Sequence, residues 1–262
     1  MDTEARPDIQ IVMPAHNEAD CVESVVTEVY EELTPRLRVE FIVCEDGSTD
    51  GTKEILAKLS RKMPMRLILG EQRKGYSRAL IDGLKASTAD FVLCLESDGQ
   101  YTPGDFWEFY RNREDYDISI GWRKPRMDTF ARKLMSASFG CVFRTLFRCP
   151  LHDPSCAFML IQRHVIDSVI GDMGLLMEGF QREFIARAQS KRLRIREIAV
   201  HHRPRKSGGT KAFPLARIPR VAASNISGLL RLWWTIRASP AGAALKPVEE
   251  PSSRARVGVD HG

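Results

Sequence analysis

Three clusters of acidic and polar side chains hold the residue types that can do chemistry. They read Pro14-Ala15-His16-Asn17-Glu18, Glu45-Asp46-Gly47-Ser48-Thr49-Asp50-Gly51-Thr52 and Glu96-Ser97-Asp98-Gly99-Gln100. Carboxylates brought together repel one another unless a cation lies between them. Oxygen ligands of this kind favour Mg²⁺ or Mn²⁺, and Mg²⁺ commonly completes its shell with substrate phosphates and water. The clusters therefore predict a divalent-cation site, provided that the fold brings them together.

The glycine motifs that cradle nucleotide phosphates are absent from the sequence. A dinucleotide-binding unit needs Gly-x-Gly-x-x-Gly after its first strand, where this chain has the Pro14 cluster. The sequence also lacks the Gly-Lys-Ser/Thr of a P-loop. A bound nucleotide is therefore expected to be held by carboxylates and a metal.

The elements that position the clusters alternate between apolar runs and helical patterns. Strands are predicted at residues 9–13, 39–44, 65–69, 91–95, 117–120, 157–161 and 193–200. Helices are predicted at 22–33, 50–59, 75–86, 105–111, 128–147, 179–189 and 221–237, with Asp50 as a helix cap. Unbroken apolar strands alternating with helices indicate a Rossmann-like parallel sheet, with right-handed crossovers through residue 121. Because ligands bind beyond the carboxyl ends of such strands, the three clusters should share one crevice.

Bulk composition indicates a folded chain with an uneven charge distribution. The 262 residues are 43% hydrophobic and 28% charged, which excludes global disorder and a fibre. Six cysteines without a CxxC pair, two of them in apolar runs, indicate reduced thiols that act as small hydrophobes. Residues 191–237 hold twelve Lys and Arg against one acid, whereas the rest of the chain is net acidic. That basic segment predicts an anionic partner.

The motifs resemble, in order, those of an inverting family 2 glycosyltransferase with the GT-A fold, and most of all the polyprenyl-phosphate (dolichyl-phosphate) mannose synthase branch. The three clusters are similar to Pro-x-Tyr-Asn-Glu, Asp-Asp-Gly-Ser-x-Asp-Gly-Thr and Asp-Ala-Asp-Leu-Gln-x-x-Pro. The further matches are Lys74-Gly75 with Gly83 and Ala86, Gly121-Trp122-Arg123 with Arg132 and Ser136, and Arg205-Lys206-Ser207-Gly208-Gly209-Thr210-Lys211. The resemblance covers about residues 9 to 211. Two departures are Glu in place of Asp at Glu45 and Glu96, and His in place of Tyr at His16.

The resemblance implies a reaction and a set of site residues. A sugar would pass from a nucleotide-diphosphate donor, GDP-mannose or a UDP-sugar, to a polyprenyl-phosphate lipid. The implied metal ligands for Mg²⁺ or Mn²⁺ are Glu96, Asp98 and Gln100. The implied nucleotide-sugar residues are Pro14, Ala15, Asn17, Glu18, Glu45, Asp46, Lys74, Ser97 and Asp98. The implied acceptor-phosphate residues are Arg123, Arg132, Ser136, Arg205 and Lys211, and the catalytic set is Asp98, Arg123, Arg132 and Arg205.

The predicted organisation is a tail (1–8), a GT-A domain (9–212), an amphipathic segment (213–237) and a disordered tail (238–262). The amphipathic segment carries Trp233-Trp234 and flanking Arg, as expected of a helix on an anionic membrane surface. Without a signal peptide at the start, the expected location is cytoplasmic and peripheral at the inner face of the cell membrane. The sequence leaves the oligomeric state open.

Two alternatives stay open at the level of sequence. The same donor chemistry could serve a soluble hydroxyl acceptor, which would need a general base such as Glu178 or Asp153. The basic segment could instead bind nucleic acid, but it has few aromatics for base stacking and no recognised motif. The sequence therefore favours a phosphate-bearing lipid and no nucleic-acid partner.

Overall fold

The computed structural model describes residues 6–124, 130–176, 179–205 and 218–238, and a seven-stranded sheet lies at its centre. The strands are β1 (Ile9–Ala15), β2 (Val39–Glu45), β3 (Met65–Leu69), β4 (Phe91–Cys94), β5 (Ile118–Arg123), β6 (Met159–Gln162) and β7 (Ile195–Val200). Their order across the sheet is β3-β2-β1-β4-β6-β5-β7. All seven residues of β1 are buried, as expected of a central strand covered on both faces.

The helices that connect and cover the strands follow the predicted pattern. They are α1 (Val22–Leu33), α2 (Thr52–Leu59), α3 (Tyr76–Ala86), α4 (Phe106–Arg111), α5 (Phe130–Phe147), α6 (Arg163–Val169), α7 (Phe180–Ser190) and α8 (Ile218–Ala238). Helix α6 was not predicted, because seven residues are too short for a periodic apolar face. Helix α8 begins at Ile218. Pro219 is tolerated in its first turn because backbone N–H groups in the first turn of a helix have no partner within the helix, so the missing N–H of proline costs no hydrogen bond there.

The pairing confirms a mostly parallel sheet and adds one reversal. Strands β1, β2, β3 and β4 pair in parallel, as do β5 and β7. Strand β6 runs antiparallel between β4 and β5. The apolar runs alone do not encode this direction, because a buried strand has the same composition whichever way it runs. The sheet continues past residue 121 through β6 and β7, and the Rossmann-like half is its β3-β2-β1-β4 part.

Helix α3 lies unusually close to the central strands. It packs against β1 and β2, and a Cβ on Gly83 would lie 2.4 Å from Cγ1 of Val12 and 2.7 Å from Sγ of Cys44. Only glycine permits this approach without displacement of the core. The glycine is therefore explained by packing, and it sets the height of α3 above the carboxyl ends of β1 and β2.

The cysteines are free thiols, and five of the six are buried. Burial raises the pKa of Cys44 to about 12 and that of Cys156 to about 12. These thiols stay protonated at neutral pH, so they are poor nucleophiles. Cys44 and Cys94, the two cysteines in predicted apolar runs, are both buried in the core and act as small apolar side chains, as the sequence predicted.

The C-terminal helix α8 has one buried and one exposed apolar face. Leu229, Leu232 and Ile236 are buried, whereas Ile226, Leu230 and Trp234 are exposed. No helix in the described part of the chain is long and apolar enough to cross a bilayer. The predicted tail falls almost entirely on residues 239–262, which lie outside the described residues.

Candidate active site

A polar cavity of about 190 Å³ lies beyond the carboxyl ends of β1 and β4. Its lining includes carboxylates from all three predicted clusters: Glu18 from the first, Asp46 from the second, and Glu96 and Asp98 from the third. The remaining lining residues are Pro14, Ala15, His16, Arg73, Tyr76, Ala79, Ser97 and Arg205. The sheet therefore brings together all three clusters, although 43 residues lie between the second and the third.

The first two clusters are joined by backbone-to-side-chain hydrogen bonds. Asn17 has a left-handed backbone (φ 55°), and its N–H donates to Oγ of Ser48 at 2.9 Å. Its Oδ1 in turn accepts the N–H of Thr49 at 2.9 Å. The N–H of Glu18 donates to Oγ1 of Thr52 at 2.9 Å. Asn17 thus links the two loops and is absent from the cavity lining.

Asp46 is a buried carboxylate that fixes the loop before α3. Its Oδ1 accepts the N–H of Lys74 at 2.6 Å, and its Oδ2 accepts the N–H of Gly75 at 2.8 Å. Gly75 has φ 97°, a conformation that L side chains rarely adopt. Asp46 therefore shapes the cavity edge through backbone contacts, while the side chain of Lys74 pairs with Asp82 at 2.5 Å outside the cavity.

The third cluster, which follows β4, is hydrogen-bonded to the neighbouring strand β1. Oγ of Ser97 donates to the carbonyl oxygen of Pro14 at 3.0 Å. Asp98 is 7% exposed, and its Oδ1 accepts the N–H of Gln100 at 3.1 Å. Glu96 and Asp98 both line the cavity, whereas Nε2 of Gln100 donates to the carbonyl oxygen of Arg203 at 3.3 Å. Two of the three predicted metal ligands thus face the same space.

Arg205 supplies a positive charge between the carboxylates. Its Nη2 lies 2.9 Å from Oε1 of Glu18 and 3.6 Å from Oδ2 of Asp98. The Arg205 side chain is 31% exposed and lines the cavity. It therefore lies where an anionic group entering the cavity would meet it.

Residues 201–205, here called the basic arm, are attached to the loop that follows β4. The N–H of Arg203 donates to the carbonyl oxygen of Gln100 at 2.7 Å, and its Nε donates to Oγ1 of Thr102 at 3.0 Å. Nη1 of Arg203 pairs with Glu28 at 2.6 Å. His202 forms an antiparallel bridge with Tyr101. These contacts place Arg205 at the cavity, although the basic arm follows β7, which is an edge strand of the sheet.

The two adjacent histidines of the basic arm differ in exposure and in partner. The His201 side chain is 77% exposed and pairs with Asp105 at 2.8 Å. His202 is 6% exposed and packs edge-on against Tyr101. Neither histidine lines the cavity, so both support the arm.

Arg123 is engaged elsewhere. Its Nε and Nη2 donate to the two carboxylate oxygens of Asp153 at 2.7 and 2.9 Å, and Nη2 also donates to Ser155 at 2.9 Å. Burial opposes the charged form of this guanidinium, but the hydrogen bonds to Asp153 hold its pKa above the ordinary value. Arg123 is therefore a permanent cation in a bidentate pair, and it is not part of the cavity lining.

Several predicted site residues lie apart from the cavity or outside the described residues. Glu45 is buried in its own turn, where it accepts the N–H of Ser48 and lies 3.6 Å from Nζ of Lys53. Arg132 and Ser136 are on α5, but their side chains are outside the description, as are Lys211 and Glu178. The cap of α2 is Gly51, and Asp50 accepts the N–H of Thr52 at 3.1 Å.

The sequence reasoning missed three lining residues near the start of α3: Arg73, Tyr76 and Ala79. Burial raises the pKa of Tyr76 well above its ordinary value, so its hydroxyl stays protonated. That hydroxyl accepts a hydrogen bond from Nε2 of Gln181. A usable signal was the position of these residues immediately after β3, at the same edge of the sheet as the three clusters.

The carboxylate oxygens that line the cavity fit a divalent cation whose remaining ligands come from a substrate. Among the described residues no three His, Cys, Asp or Glu side chains are grouped so as to hold a metal by themselves. Mg²⁺ and similar ions are commonly bound by one or two carboxylates with the remaining positions taken by phosphate and water. Glu96 and Asp98 supply that number of carboxylates beside an open cavity.

The protein thus has an α/β fold with a mostly parallel sheet, and carboxylates lie beyond the carboxyl ends of its central strands. The family model described as Glycosyl transferase family 2 matches residues 10–169, more than half of the chain. The chain belongs to this family. All three clusters fall within the matched residues.

Curated relatives include enzymes named for polyprenyl phosphates. The chain is 27% identical to Glycosyltransferase AglD of Haloferax volcanii, over 91% of this chain and 39% of that protein. It is 26% identical to dodecaprenyl-phosphate galacturonate synthase of Rhizobium johnstonii, over 84% and 66% respectively. It is 28% identical to dolichol-phosphate mannosyltransferase of Pyrococcus furiosus, over 62% and 48%. The chain thus spans 39–66% of the length of these relatives.

Solved structures share the fold. Glucosyl-3-phosphoglycerate synthase from Mycobacterium tuberculosis, in complex with Mn²⁺, UDP and glucosyl-3-phosphoglycerate, has a TM-score of 0.67 at 20% identity, covering 87% of this chain and 80% of that one. The same enzyme with Mn²⁺, UDP-glucose and phosphoglyceric acid has a TM-score of 0.66 at 20% identity, with the same coverage. The GT-A fold predicted from the sequence is confirmed.

Proposed function

We propose that this chain is a metal-dependent inverting glycosyltransferase that moves a sugar from a nucleotide-diphosphate donor to a polyprenyl phosphate. The observation that carries the proposal is the cavity in which Glu96, Asp98 and Glu18 face the guanidinium of Arg205. One side suits a metal-bound diphosphate, and the other suits an incoming phosphate. The names of the relatives from Rhizobium johnstonii and Pyrococcus furiosus support a lipid phosphate as the acceptor.

The donor side of the proposal concerns charge on the leaving group. A bound Mg²⁺ or Mn²⁺ would neutralise the diphosphate as a Lewis acid. Glu96 and Asp98 would hold the cation, and Asp46 with Pro14 and Ala15 would border the nucleoside. Glucosyl-3-phosphoglycerate synthase was crystallised with Mn²⁺ and UDP, and also with Mg²⁺ and UDP, which supports this arrangement by analogy of fold. GDP-mannose and UDP-sugars are both candidate donors.

The acceptor side follows from the chemistry of phosphate. An acceptor phosphate oxygen would attack the anomeric carbon from the face opposite the diphosphate, and the bond from that carbon to the diphosphate would break with its electron pair. Phosphate is already ionised at neutral pH, so this step needs no general base. Arg205 would orient the nucleophile. Arg132, Ser136 and Lys211 stay proposed acceptor residues on their sequence motifs, and Arg123 is proposed to support them through Asp153.

One set of contacts argues against Asp153 as the general base for a hydroxyl acceptor. Asp153, a candidate general base, accepts two hydrogen bonds from Arg123 and one from Oγ of Ser155, at 2.8 Å. Hydrogen bonds to the charged form of a carboxylate stabilise that form and weaken the carboxylate as a base. A soluble acceptor that itself carries a phosphate stays a second candidate, because structures with the same fold hold phosphoglyceric acid.

The exposed face of α8 supports a peripheral position on a membrane. The side chains of Ile226, Leu230 and Trp234 recur at intervals of four residues and are exposed, with Arg231 and Arg237 on the same helix. An apolar stripe flanked by arginines suits the interface of an anionic bilayer. We place the protein at the inner face of the cell membrane, where a lipid phosphate could reach the cavity.

A donor screen tests the proposed function. Purified protein is incubated with polyprenyl phosphate, Mn²⁺ or Mg²⁺ and one nucleotide sugar at a time, and release of nucleoside diphosphate is measured. Release from at least one donor, lost on addition of EDTA and restored by excess Mn²⁺, is expected. Absence of metal-dependent release from every donor in a panel of GDP- and UDP-sugars would refute the proposal.

A further inference from the structure

Glu183 on α7 is a fully buried carboxylate that lies outside the cavity lining. Its Oε1 accepts the N–H groups of Gly174 and Leu175, each at 3.1 Å, and its Oε2 accepts the N–H of Leu176 at 2.7 Å. Nε and Nη2 of Arg187 also donate to Oε1, at 3.0 and 2.8 Å. A buried charge is tolerated only when it is paired and hydrogen-bonded in this way. One side chain therefore sets the backbone of residues 174–176, here called the strap.

The strap and α7 together hold the first turn of α3. The carbonyl oxygen of Leu176 accepts a hydrogen bond from Oγ of Ser77 at 3.2 Å. Two residues before Glu183, Nε2 of Gln181 donates to the hydroxyl of Tyr76. Tyr76 and Ser77 are the first two residues of α3. The start of this helix is thus held at two adjacent points by the segment around Glu183.

This same turn forms part of the cavity wall. Tyr76 and Ala79 line the cavity. The two residues before the helix, Lys74 and Gly75, donate their N–H groups to Asp46. A shift of the turn would therefore move an aromatic wall and alter the hydrogen bonds of Asp46 at once.

The strap also contacts α8. A Cβ on Gly228 would lie 2.7 Å from Cδ2 of Leu176, so the helix and the strap are in close contact at this point. Leu176 is 5% exposed. The strap is thus enclosed between α3 and α8, and the carboxylate of Glu183 fixes its conformation from a third side.

We propose that Glu183 is a positioning residue of the donor site, which fixes the first turn of α3 through the strap and thereby sets the cavity wall that receives the nucleotide. This inference rests on the donor chemistry proposed above. A purely structural role would lower the free energy of unfolding without changing the affinity of the folded protein for a nucleotide. The two roles therefore differ in a measurable way.

Glu183→Gln is the informative variant because glutamine has one acceptor oxygen. Whichever way the amide is oriented, its NH₂ group faces either the N–H of Leu176 or those of Gly174 and Leu175. The strap should loosen while side-chain volume is kept. Asp167→Asn is the matched control, since Asp167 also forms an ion pair with an arginine four residues away, Arg163 at 3.0 Å, but on an exposed surface.

The first readout is amide hydrogen exchange in the unliganded protein, which does not depend on the donor proposal. In Glu183→Gln we expect exchange in the peptide that covers residues 74–79 to be about tenfold faster than in the wild type, as local opening predicts. The control should match the wild type. Unchanged exchange at residues 74–79 would overturn the inference and leave the donor proposal intact.

The second readout is the Kd of UDP and of GDP, each with Mn²⁺, below the melting temperature of every variant. The Kd of the nucleotide that binds wild type should rise about tenfold in Glu183→Gln. The Kd of the double variant Glu183→Gln/Tyr76→Phe should differ by about threefold or more from the value expected if the two single effects were independent.

If Glu183→Gln does not fold, Ser77→Ala is the second variant. It removes the hydrogen bond between Ser77 and the strap without touching the Glu183–Arg187 ion pair, and it should raise the Kd about threefold. An unchanged Kd in the folded variant would overturn the inference alone, whereas a wild type that binds neither nucleotide would overturn both proposals.

Discussion

The two sides of the cavity are built by different means. On the donor side, Asp46, Ser97 and Asp98 lie just after central strands, and their partners are backbone groups close to the strand ends. On the acceptor side, Arg205 arrives on an arm attached to the β4 loop through Arg203 and His202. The donor-side residues have a fixed position because they lie at the ends of strands, whereas the basic arm is held by a few contacts between residues that are far apart in the sequence. We therefore expect substitutions on the two sides to affect different substrates.

Removal of the Asp98 carboxylate is the largest expected effect and tests the donor side. In Asp98→Ala, turnover should fall by about three orders of magnitude or more, because the diphosphate loses its metal-supported charge neutralisation. The rate of nucleoside diphosphate release and the melting temperature are measured together. Asp20→Ala, an exposed carboxylate on the loop before α1, should retain wild-type turnover. Retained activity in folded Asp98→Ala would remove Asp98 from the proposed metal site.

Removal of the Arg205 guanidinium tests the acceptor side. In Arg205→Ala, kcat/KM for the lipid acceptor should fall about a hundredfold, as for a lost charge-assisted contact to phosphate. The Kd of the nucleotide with Mn²⁺ should change less than about threefold, because donor contacts stay on the strand-end side. Arg194→Ala, which removes an exposed guanidinium paired with Asp117, is the control. Equal losses for donor and acceptor would contradict the division between the two sides.

The exposed face of α8 gives the smallest expected effect. In Trp234→Ser, binding to vesicles that contain anionic lipid should weaken about tenfold, because one large apolar side chain no longer inserts. Leu69→Ser removes a similarly exposed apolar residue on the edge strand β3 and should not change vesicle binding. Flotation with the vesicles measures both variants. Equal binding by the wild type and Trp234→Ser would place the membrane contact elsewhere or remove it.

The sequence predicted that the three clusters meet at one cavity, because each motif is local. The polar clusters come straight after apolar strands, and parallel strands place their carboxyl ends at one edge. Asn17, Glu45 and Lys74 were assigned to the nucleotide by motif, and in the structure their side chains contact the N–H of Thr49, the N–H of Ser48 and the carboxylate of Asp82 respectively. A motif thus identifies a loop near the cavity without showing which way each side chain points.

The acceptor side could not be derived in this way, because its contacts join distant residues. Arg205 and Glu18 are separated by 187 positions, and the Arg123–Asp153 pair depends on where β5 lies relative to the loop before β6. The antiparallel direction of β6 decides that placement, and no pattern in its four residues encodes it. The burial of Glu183 also has no local signal in the sequence, because its backbone partners at residues 174–176 are seven to nine positions away.

The most direct test of the central claim compares two acceptors that differ only in the phosphate. Purified protein, Mn²⁺ and the donor selected by the screen are incubated with polyprenyl phosphate or with the matching polyprenol, and glycosylated lipid is measured by mass spectrometry. A glycosyl phosphate product from polyprenyl phosphate, with inverted anomeric configuration and no product from the alcohol, is the predicted result. Transfer to the alcohol at a comparable rate would contradict the account, since it would show that the acceptor phosphate is not needed for the reaction.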